Sequence, residues 1–584
     1  MVSRDSLFIH FSSVTELYIS QILDFTDIFL SFARILKRSM ANPLKQLAGE
    51  TAIYGMSTIL ARLINFCFVP FYTRALSTEQ YGVVTEFMAY IGVLQVVLVM
   101  GLETGCFRFA NKEGVDANKV YSNALTAVTA ISMAFLAALI ALADPISSWL
   151  GYDGYQRVII FVAGILVSDT ITAILFAKLR QEHRSIKFAT FKTIKILTEL
   201  GANLFLFFIY PAKPDFDYPI LATFISCIVC FVLFIPTLWR FTFSLDGKLL
   251  RQMLVYSIPL MIAQLPGVAN DFLDRYLFRY FDTSADAWRS SLGVYQAAVK
   301  LSVIMNLFIQ MFRFAAEPFF FQRAKNKSSK ELYAAVMEVF TAFCGLVFLG
   351  VILYVDIIGL ILGKDFRSGL GVIPIMLLAY MFLGMLFNVS MWYKLSGRTK
   401  MAIWITLAGL VVTASVNIIF MPKYSYWASA WGHLASYVVM FFISAYLGAR
   451  YNPFPYKWWR IILIFVLMLG TYAASLYLDK YLGLDSNLLV KLGFHTLLLL
   501  AYTGLVGLLM IPAWRVARRA GQEEEELAAE KNKIPAVLPL DGVNAQTEDI
   551  AINVKNKESD TTDVIKEAKK DFPRLVDTPE DDEE

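Results

Sequence analysis

The feature that most limits what this chain can become is a series of long apolar runs recurring between residues 52 and 511. A run of about 18 or more residues with few charges can cross the hydrocarbon core of a bilayer as a helix. Such runs fall near 52–72, 82–101, 121–143, 158–177, 188–210, 218–238, 253–273 and 293–315, and again near 334–355, 372–392, 401–420, 427–447, 460–478 and 492–511. Fourteen spans are expected. In lipid every backbone polar group must be satisfied within the segment, so the expected fold class is an all-α polytopic membrane protein. Composition agrees: 57% of the 584 residues are hydrophobic and 17% charged, against about 45–50% and about 25% in soluble domains. That excess excludes a chain disordered throughout. Five cysteines in this length exclude a disulfide-stapled secreted scaffold.

Loop charges set the orientation. With the N-terminus inside, the inner loops hold about twice as many Lys and Arg as the outer loops, which places both termini in the cytoplasm. The ends differ from the body. Residues 1–45 read as a cytoplasmic extension; Asp5, Glu16, Asp24 and Asp27 argue against a signal or transit peptide. Residues 1–39 read either as an amphipathic interfacial helix or as sequence upstream of a start at Met40. From Gly521 onward 19 acidic residues face 8 basic ones, so the tail carries −11 and residues 1–520 carry +15 behind a whole-chain charge of +4. Residues 515–584 read as a disordered acidic tail.

A faint internal echo organises the middle. Tyr54…Arg62…Pro70…Arg74…Tyr81-Gly82 precedes one long apolar helix, and Tyr256…Pro266…Arg275…Gly293-Val294-Tyr295 precedes another. Repeats of this kind build many transporters, with the substrate site at the repeat interface. Two six-helix lobes, 46–240 and 241–450, accommodate the echo, with two further helices in 451–514.

Ionisable residues at bilayer depth are costly and mark function unless they are paired or snorkel. The fifth span carries Lys192, Lys195, Glu199 and Asn203 on one helical face. The first carries Gly55, Thr58, Arg62 and Asn65 on one stripe. The seventh is interrupted by Pro259 and Pro266, which are expected to break it, and presents Gln264, Gly267, Asp271 and Asp274 with Arg275 alongside. The eighth adds Gln296 and Lys300, then Asn306, Gln310, Arg313 and Glu317. Glu86, Asp169 and Glu338 are single acids in apolar surroundings, each open to reading as an ion carrier or as the partner of a nearby cation. The intramembrane cations Arg62, Lys192, Lys195, Arg275 and Lys300 concentrate in spans 1, 5, 7 and 8, so a cationic cavity suited to phosphate is expected. Glu86, Asp169, Glu199, Asp271 and Asp274 are the candidates for ion coupling.

Other chemistry leaves no mark. There is no GxxxxGK[ST] phosphate loop, and the four histidines are scattered rather than clustered for a metal. Cys227 and Cys230 form a CxxC inside the sixth span, where small apolar packing explains them. No catalytic residue, metal, cofactor or nucleic-acid partner is expected.

The stretch GETAIYGMSTILARLINFCFVPFYTRALSTEQYGVVTEF (49–87), with GLETGCFRFA (101–110) and DRYLFRYF…LGVYQAAVKL (274–301), resembles polysaccharide flippases, the Wzx-like branch of the multidrug/oligosaccharidyl-lipid/polysaccharide exporter superfamily. The resemblance covers roughly residues 45–450. It implies a two-lobed MATE-like bundle in a bacterial inner membrane. Such a protein moves a polyprenyl-pyrophosphate-linked oligosaccharide to the periplasmic leaflet by alternating access, driven by H+ or Na+. Implied partners are that lipid-linked oligosaccharide, membrane lipids and polysaccharide-assembly proteins. By position, Arg62, Lys192, Arg275 and Lys300 become cavity residues and Asp274 or Glu86 coupling residues. Fourteen spans exceed the twelve usual for this branch and equal those of lipid II flippases, and the acidic tail fits no pattern of the family. A drug/cation antiporter on the same fold is the alternative, expected to show more acids than bases in its cavity. A membrane glycosyltransferase or polymerase would need a large outer catalytic loop, and the loops here are short.

Overall fold

The computed structural model describes residues 68–533 except 113, 211–212, 240, 242–244, 283–286, 323–328 and 484–486, together with 55, 63, 64 and 66. Residues 1–54, Arg62 and 534–584 lie outside the described residues, and with them the Met40 question, most of the first span and most of the acidic tail. Among the described residues, chain contacts group those up to Ala520 into one compact unit and those from Gly521 into a second.

Sixteen helices carry the description: α1 (Val69–Ala75), α2 (Thr78–Val99), α3 (Leu102–Ala110), α4 (Ala117–Ala141), α5 (Ala143–Trp149), α6 (Gln156–Gln181), α7 (Ser185–Leu204), α8 (Asp217–Leu238), α9 (Gly247–Phe281), α10 (Trp288–Gln322), α11 (Ser329–Ile352), α12 (Ile373–Val389), α13 (Met401–Tyr424), α14 (Tyr426–Tyr451), α15 (Trp458–Leu482) and α16 (Leu488–Lys533). Among the described residues 12 segments are long and apolar enough to cross a membrane. The fifth expected span, α7, is absent from that count because Lys187, Lys192, Lys195 and Glu199 interrupt its apolar face.

Helix ends follow local chemistry. Ser77 and Gln80 form a reciprocal capping box that starts α2, and the Asp246 carboxylate accepts from the backbone N–H groups of Lys248 and Leu249 to start α9. One sequence expectation fails here. Pro259 and Pro266 do not break the seventh span; α9 runs 35 residues through both. The break falls elsewhere, between α2 and α3, where Met100 and Gly101 both take left-handed backbone angles (φ 52° and 67°).

The helices pair as α4 on α6, α6 on α8 and α7 on α8, and as α9 on α13, α13 on α14 and α12 on α14. The two sets meet through α2, which packs along α10 and α9. The echoing segments touch at the start of α2 and α10. A Cβ on Gly82 would lie 1.9 Å from the Arg289 carbonyl oxygen, and one on Gly293 would lie 1.9 Å from that of Thr78. Only glycine permits such backbone contact.

The last two spans dock on α11. Arg460 pairs with the buried Glu338 at 3.0 Å, His495 bridges the Leu353 carbonyl (2.6 Å) and Asp479 (3.0 Å), and Lys491 reaches Asp356 at 2.8 Å. Glu338 is therefore a structural partner. Cys227 and Cys230 are free and buried.

Candidate functional site

A cavity of about 600 Å³ opens between the two helix sets, lined from α1, α2, α7, α8, α9, α10, α12 and α14. It gathers most of the intramembrane charge singled out by sequence: Lys195 and Glu199 from α7, Asp271, Asp274 and Arg275 from α9, and Lys300 from α10. The helical spacing that put Lys195 with Glu199, and Asp271 with Asp274, on common faces is what turns these groups inward.

Polar groups in such a place need partners, and most have them. On one wall Lys195 donates to Asp169 of α6 at 2.5 Å, and Thr223 of α8 donates to Glu199 at 3.1 Å. Tyr72 donates to Asn203 at 2.8 Å above them. On the opposite wall His433 Nε2 lies 3.1 Å from Asp274 Oδ2, the Arg275 backbone N–H donates to Asp274 Oδ1 at 2.8 Å, and Tyr437 donates to Asp271 at 3.0 Å. Behind Asp274 a buried polar seam ties α9 to α13 and α14. Thr413 and Ser436 donate to Asn270 at 2.6 and 3.0 Å, and Ser429 donates to Asn417 at 2.7 Å.

Two exceptions are His433 Nδ1, buried without a hydrogen-bond partner, and Arg275. Its guanidinium lies 4.7 Å from the Phe272 ring centroid, its Nε is buried without a hydrogen-bond partner, and among the described residues no carboxylate pairs with it. A buried donor left unmade costs about 1–3 kcal/mol, more when charged. Placed on a cavity wall, it is positioned to be satisfied by what enters.

The remaining expectations divide. Arg62 lies outside the described residues. Lys192 is not on the cavity wall; its ammonium sits 4.4 Å over the Phe176 ring. Asp169 stands one layer back, neutralising Lys195. Glu86 is not on the cavity wall either; it is 1% exposed, about two turns into α2. It accepts from the Tyr90 and Tyr152 hydroxyls, with Arg279 at 3.6 Å. Burial pushes the Tyr152 hydroxyl well above its ordinary range, so it stays a donor to Glu86. The expected cationic lining is not what the described residues form: Lys195, Arg275 and Lys300 face Glu199, Asp271 and Asp274. Sequence reasoning passed over His433 and Tyr437, a lone histidine and a tyrosine at i and i+4 in a span rich in Ser, Gly and Ala. That small-residue face was the signal that α14 packs tightly on a neighbour.

Residues 47–324 match the polysaccharide biosynthesis protein family. Among curated proteins none matches the chain. The structure is similar to a lipid II flippase MurJ in an inward closed conformation (13% identity, TM-score 0.61), covering 77% of this chain and 97% of that one. It is also similar to an inward-facing multidrug resistance MATE family transporter of the MOP superfamily (12% identity, TM-score 0.54), covering 67% and 95%. At these identities the likeness is one of fold. Residues 47–324 carry the sequence pattern of the polysaccharide biosynthesis family, and the described helices carry the fold shared by MurJ and MATE proteins with 12 segments long and apolar enough to cross a membrane, so this is a multi-pass membrane protein.

Proposed function

We propose that the chain is a flippase carrying a polyprenyl-pyrophosphate-linked oligosaccharide from the cytoplasmic to the periplasmic leaflet of a bacterial inner membrane. The observation that carries this reading is Arg275 on the wall of a central cavity, a guanidinium whose buried Nε has no hydrogen-bond partner among the described residues. A guanidinium binds phosphate oxygens through two parallel N–H groups, and Lys300 and Lys195 line the same space. The cavity lies within the roughly 300–1,000 Å³ of small-ligand sites. It suits the pyrophosphate and the first sugars, while the polyprenyl chain stays in lipid. Alternating access is the rocking of lobe 46–240 against lobe 241–450. Coupling to H+ or Na+ rests on the buried Asp274–His433 pair, since a proton or cation arriving there changes the charge that Arg275 faces. Both termini are cytoplasmic in this reading, and polysaccharide-assembly proteins are its expected partners.

One observation favours a second reading, a drug/cation antiporter. Glu199 and Asp271 each accept a hydroxyl at the cavity wall, and carboxylates there suit an organic cation. Purified protein in liposomes separates the two. The flippase moves a fluorescent polyprenyl-pyrophosphate oligosaccharide between leaflets, and the Arg275→Ala variant does not. If instead an organic cation discharges an imposed proton gradient while the lipid-linked sugar stays put, the antiporter reading replaces the flippase.

A further inference from the structure

We infer that Glu86 is the latch of a gate that closes one end of the central cavity, rather than a carrier of ions. Tyr81, Val84, Thr85 and Met88 of α2 and Tyr295, Gln296 and Val299 of α10 line the cavity. No residue of α2 before Tyr81 and none of α10 before Tyr295 lines it, and at that level α2 and α10 meet backbone to backbone at Gly82 and Gly293. Thr78 and Ser290 share a hydrogen bond of 2.7 Å at the same crossing. Nothing the size of a sugar passes between α2 and α10 while that contact holds.

Glu86 stands one turn beyond Gly82, buried to 1%, and ties the crossing to the segments around it. Tyr152, from the α5–α6 turn, donates to Glu86. Arg289 of α10 donates to the Tyr152 hydroxyl at 3.2 Å and reaches the Gly151 carbonyl at 3.4 Å. Arg279, near the end of α9, lies 3.6 Å from the same carboxylate and donates to the Trp149 carbonyl at 2.8 Å. Thus one carboxylate joins residues of the first helix set (Glu86, Tyr90, Tyr152) to two arginines of the second. A second strap runs beside it. The Gly363 N–H donates to Thr73 at 3.0 Å and Arg74 donates to the Leu360 carbonyl at 2.8 Å, fastening α1 to the turns before α12.

The contacts of Arg279, Arg289, the Thr78–Ser290 pair and the Thr73–Gly363 strap cross between the two helix sets, so they must part before this end can open. Glu86 holds Tyr90 and Tyr152 of its own set against Arg279 of the other, at the place where the sets separate. The buried carboxylate gives the latch its strength, because two hydroxyls lose their acceptor and the Arg279 guanidinium its counter-charge together when it goes. Which substrate moves is immaterial to this role.

The test reads which side of the membrane reaches the cavity. A reporter cysteine replacing Met88, on the cavity wall, is labelled with a membrane-impermeant maleimide applied to the face where α2 begins. In the parent, labelling from that face is low. Glu86→Gln raises it at least about fivefold, with expression and size-exclusion profile unchanged. A disulfide between cysteines replacing Thr78 and Ser290 returns it to background in the Glu86→Gln chain, and reductant restores it. Parent-like labelling in a folded Glu86→Gln protein overturns the inference, as does continued labelling after the disulfide has formed. Should Glu86→Gln not accumulate, Arg289→Lys with the same reporter gives the same two outcomes.

Discussion

Replacing Gly82 by alanine tests the helix crossing that organises the bundle. The new methyl would stand 1.9 Å from the Arg289 carbonyl oxygen, where ordinary contact begins near 3.4 Å. The two backbones must therefore part by about 1.5 Å, and neither is a side chain that can rotate away. Overpacking of this kind costs about 1–3 kcal/mol, and two opposed backbones put it at the upper end. Alanine returns about 0.5–1 kcal/mol through its better helical entropy. The net is a loss of about 2 kcal/mol from the closed arrangement, roughly thirtyfold in its population relative to an arrangement with this end parted. Gly350→Ala is the control, since a Cβ there meets nothing within 4 Å. Thermal unfolding of the two purified variants, followed by tryptophan fluorescence and by cysteine accessibility at the α2 end, gives the comparison. Gly82→Ala should melt earlier and open that end, and Gly350→Ala should match or slightly exceed the parent. A Gly82→Ala protein as stable and as closed as the parent would refute the backbone contact.

Two further outcomes follow from buried pairs. Removing one partner of the Glu338–Arg460 pair (Glu338→Ala) leaves a buried charge and should cost about 3–5 kcal/mol. The double change Glu338→Leu with Arg460→Met should recover most of that loss, measured by unfolding in detergent. Asp274→Asn removes the charge that His433 faces at 3.1 Å; transport driven by an ion gradient should fall at least tenfold while energy-independent exchange of substrate across the membrane persists. Equal loss of both in the Asp274→Asn chain would move Asp274 from coupling to substrate binding.

The spans could be read from the chain because apolar length is a local property, visible without knowing any neighbour. So was the inward face of α7, where Lys195 and Glu199 share a side by spacing alone. What each charge does was not legible, because that is decided by residues far away in sequence. Glu86 and Asp169 look alike in the chain, each a single acid in an apolar helix. One meets Tyr152 and Arg279 at a helix crossing, the other neutralises Lys195 beside the cavity. The same distance in sequence hid the balance of charge: the cations of the inner stripes face acids from the same helices and the next. The prolines of α9 misled for a local reason. Proline removes one hydrogen bond and crowds the preceding turn, yet α9 is held along its length by α13, α2 and α3 and stays continuous. The real break, Met100-Gly101, gives no proline signal and is set by how closely α3 approaches Ser257 of α9.

The central claim is that Arg275 meets the pyrophosphate of a lipid-linked sugar. Its most direct test is the affinity of the purified protein for a short-chain polyprenyl-pyrophosphate disaccharide, measured beside the Arg275→Ala variant. Hydrogen bonds to a charged group contribute about 1.5–3 kcal/mol, so the variant should bind roughly 10–150-fold more weakly. A matching polyprenyl alcohol without phosphate should bind both proteins alike. Equal binding of the pyrophosphate by parent and variant would contradict the account.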